Sequence, residues 1–330
     1  MKVLVTGSSG FVGHALTKRL LELGNYVVGI DNIEAESPNH LKESRTLELT
    51  SYKNFRFVKL GVLNEGVESL LKEESIDIVV DLASKDFYYD SHELLNYSPY
   101  LTTNVIGTAK IIELAKKLGA KKYIYGSTFS VYGKTKKIKF TEKKIIPKPV
   151  SPNGSSKLAG EHVVEFMSEY YNLPCVVLRI FSEYGPGMPL YKIIGHYMEK
   201  FHHGEGLKMY SSIDDTRDFI YIDDLVNYII STFDKRLKFQ VFNIASGKSY
   251  SLREIAYKVA VEMGIPKSKI KIGKSHKNFS DITANKVQAD ISKAVKMLKY
   301  KPQTDIDTGI RNTVKWYLET EQHKHRYHKS

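Results

Sequence analysis

Three short stretches of this chain carry groups that could do chemistry together. Gly126-Ser127-Thr128 closes an apolar run with two hydroxyls, and Asn153 stands four residues before Lys157 at the start of a helical pattern. Residues at that spacing share a helix face. A hydroxyl there can orient a substrate hydroxyl, and a lysine can supply positive charge. An amide has no usable proton affinity, so the set contains two of the parts of a proton-handling site and lacks an evident base. The third stretch, Thr6-Gly7-Ser8-Ser9-Gly10-Phe11-Val12-Gly13, follows the first apolar run directly. Its glycines suit a tight turn, the close approach of a pyrophosphate and tight packing of a helix on a strand, with the phosphates facing unpaired N–H groups. Asp31 ends the next strand about 20 residues later, where a carboxylate binds a ribose hydroxyl and repels a 2′-phosphate. NAD is therefore the expected cofactor, rather than NADP.

These groups need a scaffold, and the pattern supplies one. VLVTG, YVVGIDN, FRFVKL, IDIVVDLA, KKYIYGST and PCVVLRIF read as strands. Helical patterns fall between several of them, at about Phe11 to Leu23, at LTTNVIGTAKIIELAKKLG with Gly119 as its stop, and at Ser155 to Tyr171. Continuous apolar strands alternating with helices predict an α/β fold, a doubly wound parallel sheet covered on both faces. After Phe181 the order loosens at Gly185-Pro186-Gly187. A helix is expected at Tyr191 to Phe201, a strand at QVFNIAS, a helix after Ser251 opened by a capping box with Glu254, and a last helix near Ile306 to Tyr317. This gives a dinucleotide-binding domain over 1–180 and a smaller α/β substrate-binding lobe over 181–330, with segments near 214–245 returning to the main domain. Ligands are expected at the carboxyl ends of the strands.

The 330 residues are 42% hydrophobic and 26% charged, with a formal net charge of +12 and one cysteine. A lone Cys175 excludes a disulfide framework and a cysteine-rich metal site, and it fits a cytoplasmic location. The chain opens on a buried strand, which leaves no room for a signal peptide, and no apolar run has the length of a membrane span. The basic excess reads as a solvated surface able to attract an anionic substrate. No interleaving of aromatic and basic residues points to nucleic acid. The 11 histidines show no ligand spacing with a third partner, so no metal is expected. Asp223-Asp224 reads as a helix cap.

The glycine spacing resembles that of the extended short-chain dehydrogenases/reductases. Asp81-Leu82-Ala83-Ser84, the helix containing Asn104, Ser127-Thr128 with Val131-Tyr132-Gly133, LRIFSEYGPG, TRDFIYIDDL, FNIASGKSYSL and the segment from ADISKA resemble successive landmarks of the nucleotide-sugar epimerases and dehydratases of that family. The resemblance covers nearly the whole chain. It implies a Rossmann fold, isomerase or oxidoreductase chemistry on a nucleotide-sugar in carbohydrate biosynthesis, bound NAD and a homodimer. By position, Gly7, Gly10, Phe11, Val12, Gly13, Asp31, Asn32, Leu82, Ala83, Lys157 and Phe181 would contact NAD. Thr128, Asn153 and Lys157 would occupy the catalytic positions. Thr128 would hold the sugar hydroxyl that loses hydride, Ser182 would face the sugar or its phosphate, and Arg217 would grip the diphosphate.

Within the family, 4,6-dehydratases carry Asp-Glu after Ser-Thr, and decarboxylases carry Glu; Phe129 and Ser130 stand here. That leaves 4-epimerisation, or oxidation at C4 alone. Four positions depart from the pattern. Asn153 replaces the catalytic tyrosine, Gly61 an aspartate near adenine, Asn278 an arginine at the diphosphate, and Ser182 an asparagine. A phenol with its pKa lowered by Lys157 can act as base; an amide cannot. Glu183, Tyr132 and Lys157 are the alternative proton acceptors, with Glu183 also readable as an outward or capping residue. Two readings result: a nucleotide-sugar 4-epimerase-like enzyme, or a catalytically weakened relative that binds NAD and a sugar nucleotide in a regulatory or assembly role.

Overall fold

The structure is a computed structural model that describes residues 1–33, 39–86, 97–134, 139–143, 147–207, 212–235, 237–266, 268, 270, 271, 273 and 285–327. Asn278 lies outside the described residues. The first half runs β1 (Lys2–Thr6), α1 (Phe11–Glu22), β2 (Tyr26–Ile30), α2 (Asn39–Thr50), β3 (Phe55–Val58), α3 (Gly66–Leu71) and β4 (Ile78–Asp81). It continues through α4 (Ser98–Leu101), a π-helical turn (Thr102–Gly107), α5 (Thr108–Lys117), β5 (Lys122–Thr128), a 3₁₀ turn (Phe129–Tyr132), β6 (Lys139–Phe140), α6 (Pro152–Tyr171) and β7 (Cys175–Ile180). The second half is β8 (Ser182–Tyr184), α7 (Ile193–His202), β9 (Thr216–Tyr221), α8 (Ile222–Ser231), β10 (Gln240–Ile244), β11 (Ser249–Ser251), α9 (Leu252–Glu262), β12 (Gln288–Ala289), α10 (Ser292–Leu298) and α11 (Ile306–Tyr327).

Seven parallel strands form the main sheet in the order β3-β2-β1-β4-β5-β7-β10. The strands are apolar throughout because both faces are covered. Val3 and Val5 of β1 join Leu16 and Leu20 of α1 and Leu225 and Ile229 of α8 in one core. Leu4, between them, faces the opposite core with Ile111 of α5 and Val164 and Met167 of α6. This alternation is the period of two that a strand imposes. The first core continues without a break into α7, α9 and α11. The strand order reverses between β1 and β4, which opens a crevice at their carboxyl ends, the place where such sheets take ligands.

The expected helix 101–119 is continuous but not uniform, since its start contains the π turn. The capping box at Ser251 and Glu254 forms in both directions. Asp223-Asp224 does not cap α8: its N-cap is Tyr221, and the Asp224 carboxylate instead accepts from the Tyr300 hydroxyl (2.5 Å) and the Gln303 and Thr304 amides. It ties α8 to the segment before α11. Among the described residues no helix is long and apolar enough to cross a membrane.

Candidate active site

The glycine turn joins β1 to α1 at the carboxyl end of β1, in the interior of the sheet. Gly7 sits at φ +67°, and a Cβ on Gly13 would lie 2.0 Å from the Gly7 carbonyl oxygen, so helix and strand close only over a hydrogen atom. Gly10 is the N-cap of α1, in extended conformation and without a side-chain cap, so no side chain covers the first-turn amides that would meet a phosphate. Phe11 and Val12 begin the helix. Asp31 follows β2, buried, and accepts from the amides of Ser9 (3.1 Å) and Ile33 (2.8 Å) and from Lys42 (3.2 Å). Asn32 is exposed beside it, and Gly61 lies next to the Asn32 side chain. Leu82 and Ala83, after β4, both donate their amides to the Thr6 hydroxyl. These residues gather at the carboxyl ends of β1, β2 and β4, and the uncovered amides with the Asp31 carboxylate suit a dinucleotide.

α2, which sequence reading passed over, reaches into the same region. Arg45 is buried and donates to the Ser9 carbonyl (3.1 Å) and to the Gly187 carbonyl, joining the glycine turn to the Gly185–Gly187 break. Burial pushes its pKa down to about 10.

The hydroxyl and the lysine meet along β5 and α6. Ser151 caps α6 by accepting from the Gly154 amide (3.1 Å), and Pro152 occupies the first turn, where its missing N–H costs nothing. A Cβ on Gly154 would lie 2.5 Å from the Ser130 carbonyl oxygen, so glycine is what lets α6 lie against the turn that follows Thr128. Lys157 is buried, its ammonium donating to the Gly126 carbonyl (2.8 Å) over the Tyr125 ring. Desolvation pushes its pKa down to about 8, against the opposing charges of Asp81, Asp86 and Glu161. Thr128 is left part-exposed, its hydroxyl accepting from the Ser130 amide. Ser127 turns into the core and donates to Glu161 (2.5 Å), which also pairs with Arg179.

Asn153 is 9% exposed, in the first turn of α6. Its amide nitrogen donates to Asp86 Oδ1 (2.9 Å), and its Oδ1 is buried without a hydrogen-bond partner among the described residues. Asp86 Oδ2 accepts from Lys192 (3.3 Å), and Lys192 also donates to Glu183 Oε1 (2.6 Å). Lys192 is held protonated well above the ordinary lysine range by these two carboxylates, against the cost of its burial.

Turn, lysine, hydroxyl and strand order agree with one sequence family. Residues 3–245 match the NAD dependent epimerase/dehydratase family. This chain belongs to that family. It is 31% identical over 319 residues to UDP-glucuronate 4-epimerase from Thermodesulfobacterium geofontis, covering 96% of each. UDP-glucuronic acid 4-epimerase from Bacillus cereus, solved with UDP-glucuronic acid and NAD, superposes with a TM-score of 0.87 at 28% identity over 97% of this chain and all of that one. UDP-glucose 4-epimerase from Thermotoga maritima, solved with UDP-glucose, gives 0.84 at 26% identity over 97% of this chain and all of that one. The family's cofactor is NAD, and the fold is the Rossmann arrangement expected from the strands.

The other residues singled out in the sequence stand as follows. Phe181 is fully buried, stacked on Phe129 and near Phe140. Arg217, on β9, is buried with a guanidinium nitrogen on the Thr216 carbonyl, and Ser182 begins the adjacent β8. Glu183 neither points outward nor caps a helix, being locked to Lys192. The Tyr132 hydroxyl is buried on Asn243, and burial pushes its pKa up to about 12, which removes it as a base. Asn104, in the π turn, is structural: it binds both the N–H and C=O of Lys85 and the Ser156 hydroxyl. It thereby fixes the loop that presents Asp86. Asp86 and Lys192 were missed from sequence. The available signal was a charged Lys85-Asp86 pair just past a strand's carboxyl end, where a ligand is expected.

Proposed function

We propose that this protein is an NAD-dependent nucleotide-sugar enzyme that works at C4 of the sugar, a 4-epimerase-like or C4-oxidising activity, on a UDP-hexose or UDP-hexuronate. The observation that carries the reading is the buried Lys157 ammonium anchored to the strand that ends in Thr128, one strand from the loop beside the glycine turn. Gly7, Gly10, Val12 and Gly13 hold the pyrophosphate, Asp31 and Asn32 the adenosine ribose, Leu82 and Ala83 the wall of the cleft, and Lys157 the nicotinamide ribose. Bound NAD supplies the hydride acceptor. Thr128 orients the 4-hydroxyl, while Ser182 and Arg217 serve the sugar diphosphate from the lobe over 181–330. The UDP-sugars bound by the two solved relatives support UDP as the nucleotide.

A homodimer is part of this proposal. Phe166 (63% exposed) and Tyr170 (71%) stack on the outer face of α6, and Ile106 is exposed on the helix before α5. These apolar side chains suit a second copy of the same helices.

The test is a panel of UDP-, GDP-, CDP- and dTDP-sugars, followed by thermal stabilisation and by analysis of the product sugar. Stabilisation by UDP-sugars with a C4 epimer or reduced NAD is the expected result. No shift with any nucleotide sugar overturns the proposal. Stabilisation without turnover supports the second reading, a ligand-binding relative with weakened catalysis, which Asn153 in the phenol's place favours.

A further inference from the structure

The C4 chemistry needs a proton acceptor, and residue 153 cannot be one. A hydroxyl that becomes a ketone loses its proton as the carbon loses hydride, and an amide is not basic enough to take it. The ionisable groups near Asn153 differ in their partners. Lys157 donates to the Gly126 carbonyl, Glu183 accepts from Lys192 at 2.6 Å, and Asp86 accepts from the same Lys192 at a longer 3.3 Å. Asp86 is the carboxylate that touches the Asn153 side chain, at 2.9 Å, and it keeps 39% of its side chain exposed.

We infer that Asp86 is the proton acceptor of this site, presented by Asn153 where the family presents a phenol. The inference rests on the C4 reaction proposed above. An asparagine is shorter than a tyrosine by most of a ring, and a 2.9 Å hydrogen bond beyond its amide makes up much of that length. The carboxylate also fixes the amide: an ionised Asp86 can only accept, so Nδ2 must face it and Oδ1 must face the other way. That Oδ1 is the buried atom without a partner among the described residues. The part-exposed Asp86 carboxylate is the acceptor in reach of a sugar hydroxyl, and the 4-hydroxyl donates to it.

In the oxidation the O–H bond at C4 breaks and a new O–H bond forms on Asp86. The oxygen's electron pair becomes the second bond of the carbonyl as hydride leaves C4 for the NAD of this family. On return, hydride comes back to C4 and the carboxylic acid gives its proton back to the ketone oxygen. Lys192 stands beside Asp86 as its counter-charge. Because Lys192 is shared with Glu183, its charge is not all spent on Asp86, and Lys157 and Lys85 are the other cations nearby. Asn104, by holding both backbone groups of Lys85, keeps the carboxylate in place without touching it.

The experiment compares wild type, Asp86→Asn and Asp86→Glu with UDP-glucose, UDP-glucuronate and their 4-deoxy-4-fluoro analogues. Binding is measured by calorimetry, and NAD reduction by absorbance across pH. Fluorine cannot donate a hydrogen bond, so wild type should bind the hydroxyl sugar more tightly than the fluoro sugar, and Asp86→Asn should lose that preference. Asp86→Asn should still fold, with a cooperative melt, and lose about 10²–10⁴ in the rate of NAD reduction. Asp86→Glu, which retains a carboxylate, should recover part of the rate. Binding of UDP-sugar with an unchanged rate or an unchanged hydroxyl preference in Asp86→Asn overturns the role of Asp86 and leaves the C4 reading standing. If wild type binds no UDP-sugar, both fall.

Discussion

The glycine turn between β1 and α1 and the first turn of α6 both lie toward the carboxyl ends of the parallel strands, yet they are built from different materials. The turn keeps its three glycines because its function is a backbone shape, and a methyl group at Gly13 would overlap the Gly7 carbonyl. The start of α6 also keeps its shape, with the Ser151 cap, the proline and Gly154 all in place. What departs there from the pattern the sequence resembles is one side chain, Asn153, beside a charged neighbourhood of Asp86, Lys192 and Glu183. A site made of backbone has no substitute for its geometry. A site made of a proton-accepting atom can receive that atom from another strand end.

The sharpest way to break this comparison is to give residue 153 its phenol back. In the Asp86→Asn background, Asn153→Tyr should restore about 10²-fold or more of NAD reduction by UDP-sugar, since a phenol beside Lys157 is a competent base. In the wild-type background the same change should gain far less. A large gain in wild type would mean that Asp86 had not been supplying the proton acceptor. Second in size is Gly13→Ala, expected to cost about 1–3 kcal/mol of stability by overpacking and to lose NAD on purification, as read by denaturant melts and by cofactor content. Retention of both would show that the turn is as adjustable as α6.

The pH dependence of stability separates the two regions next. Lys157 has a pKa of about 8 in the fold against an ordinary 10.5, so between these values the unfolded chain binds more protons. Stability should therefore rise with pH from about 8 to 10.5, by at most about 1.4 kcal/mol per pH unit from this group, and Lys157→Met should flatten the rise. The smallest effect is expected from Ser151→Ala, about 1 kcal/mol from a lost helix cap, measured by urea denaturation. It should also weaken the Asn153–Asp86 contact, seen as a modest fall in rate.

The parts of the site that sequence makes legible are those whose partners are close along the chain. The glycine spacing, Asp31 at a strand end, and Asn153 with Lys157 one helical turn apart all carry their geometry locally. Asp86 and Asn153 are 67 residues apart, and Asp86 and Lys192 are 106 apart. Only the strand order, which sets the β4 loop beside β5 and α6, brings them together. The same cause explains the misreading of Asp224, whose partners Gln303 and Thr304 come from a distant segment. Glu183, readable as a proton acceptor or an outward or capping residue, finds its cation in Lys192, and periodicity says nothing about charge pairing.

The π turn at Thr102–Gly107 carries one more residue per turn than the helix around it. It therefore sets the rotational phase of α5 relative to α4. Deleting a single residue from it would let the segment run as a regular α-helix and turn one end against the other by about 100°. Asn104 could then no longer meet Lys85 and Ser156 while α5 kept Ile111 and Leu114 in the core. The register of one short turn, with no ionisable group of its own, thus decides where a carboxylate stands in the cleft.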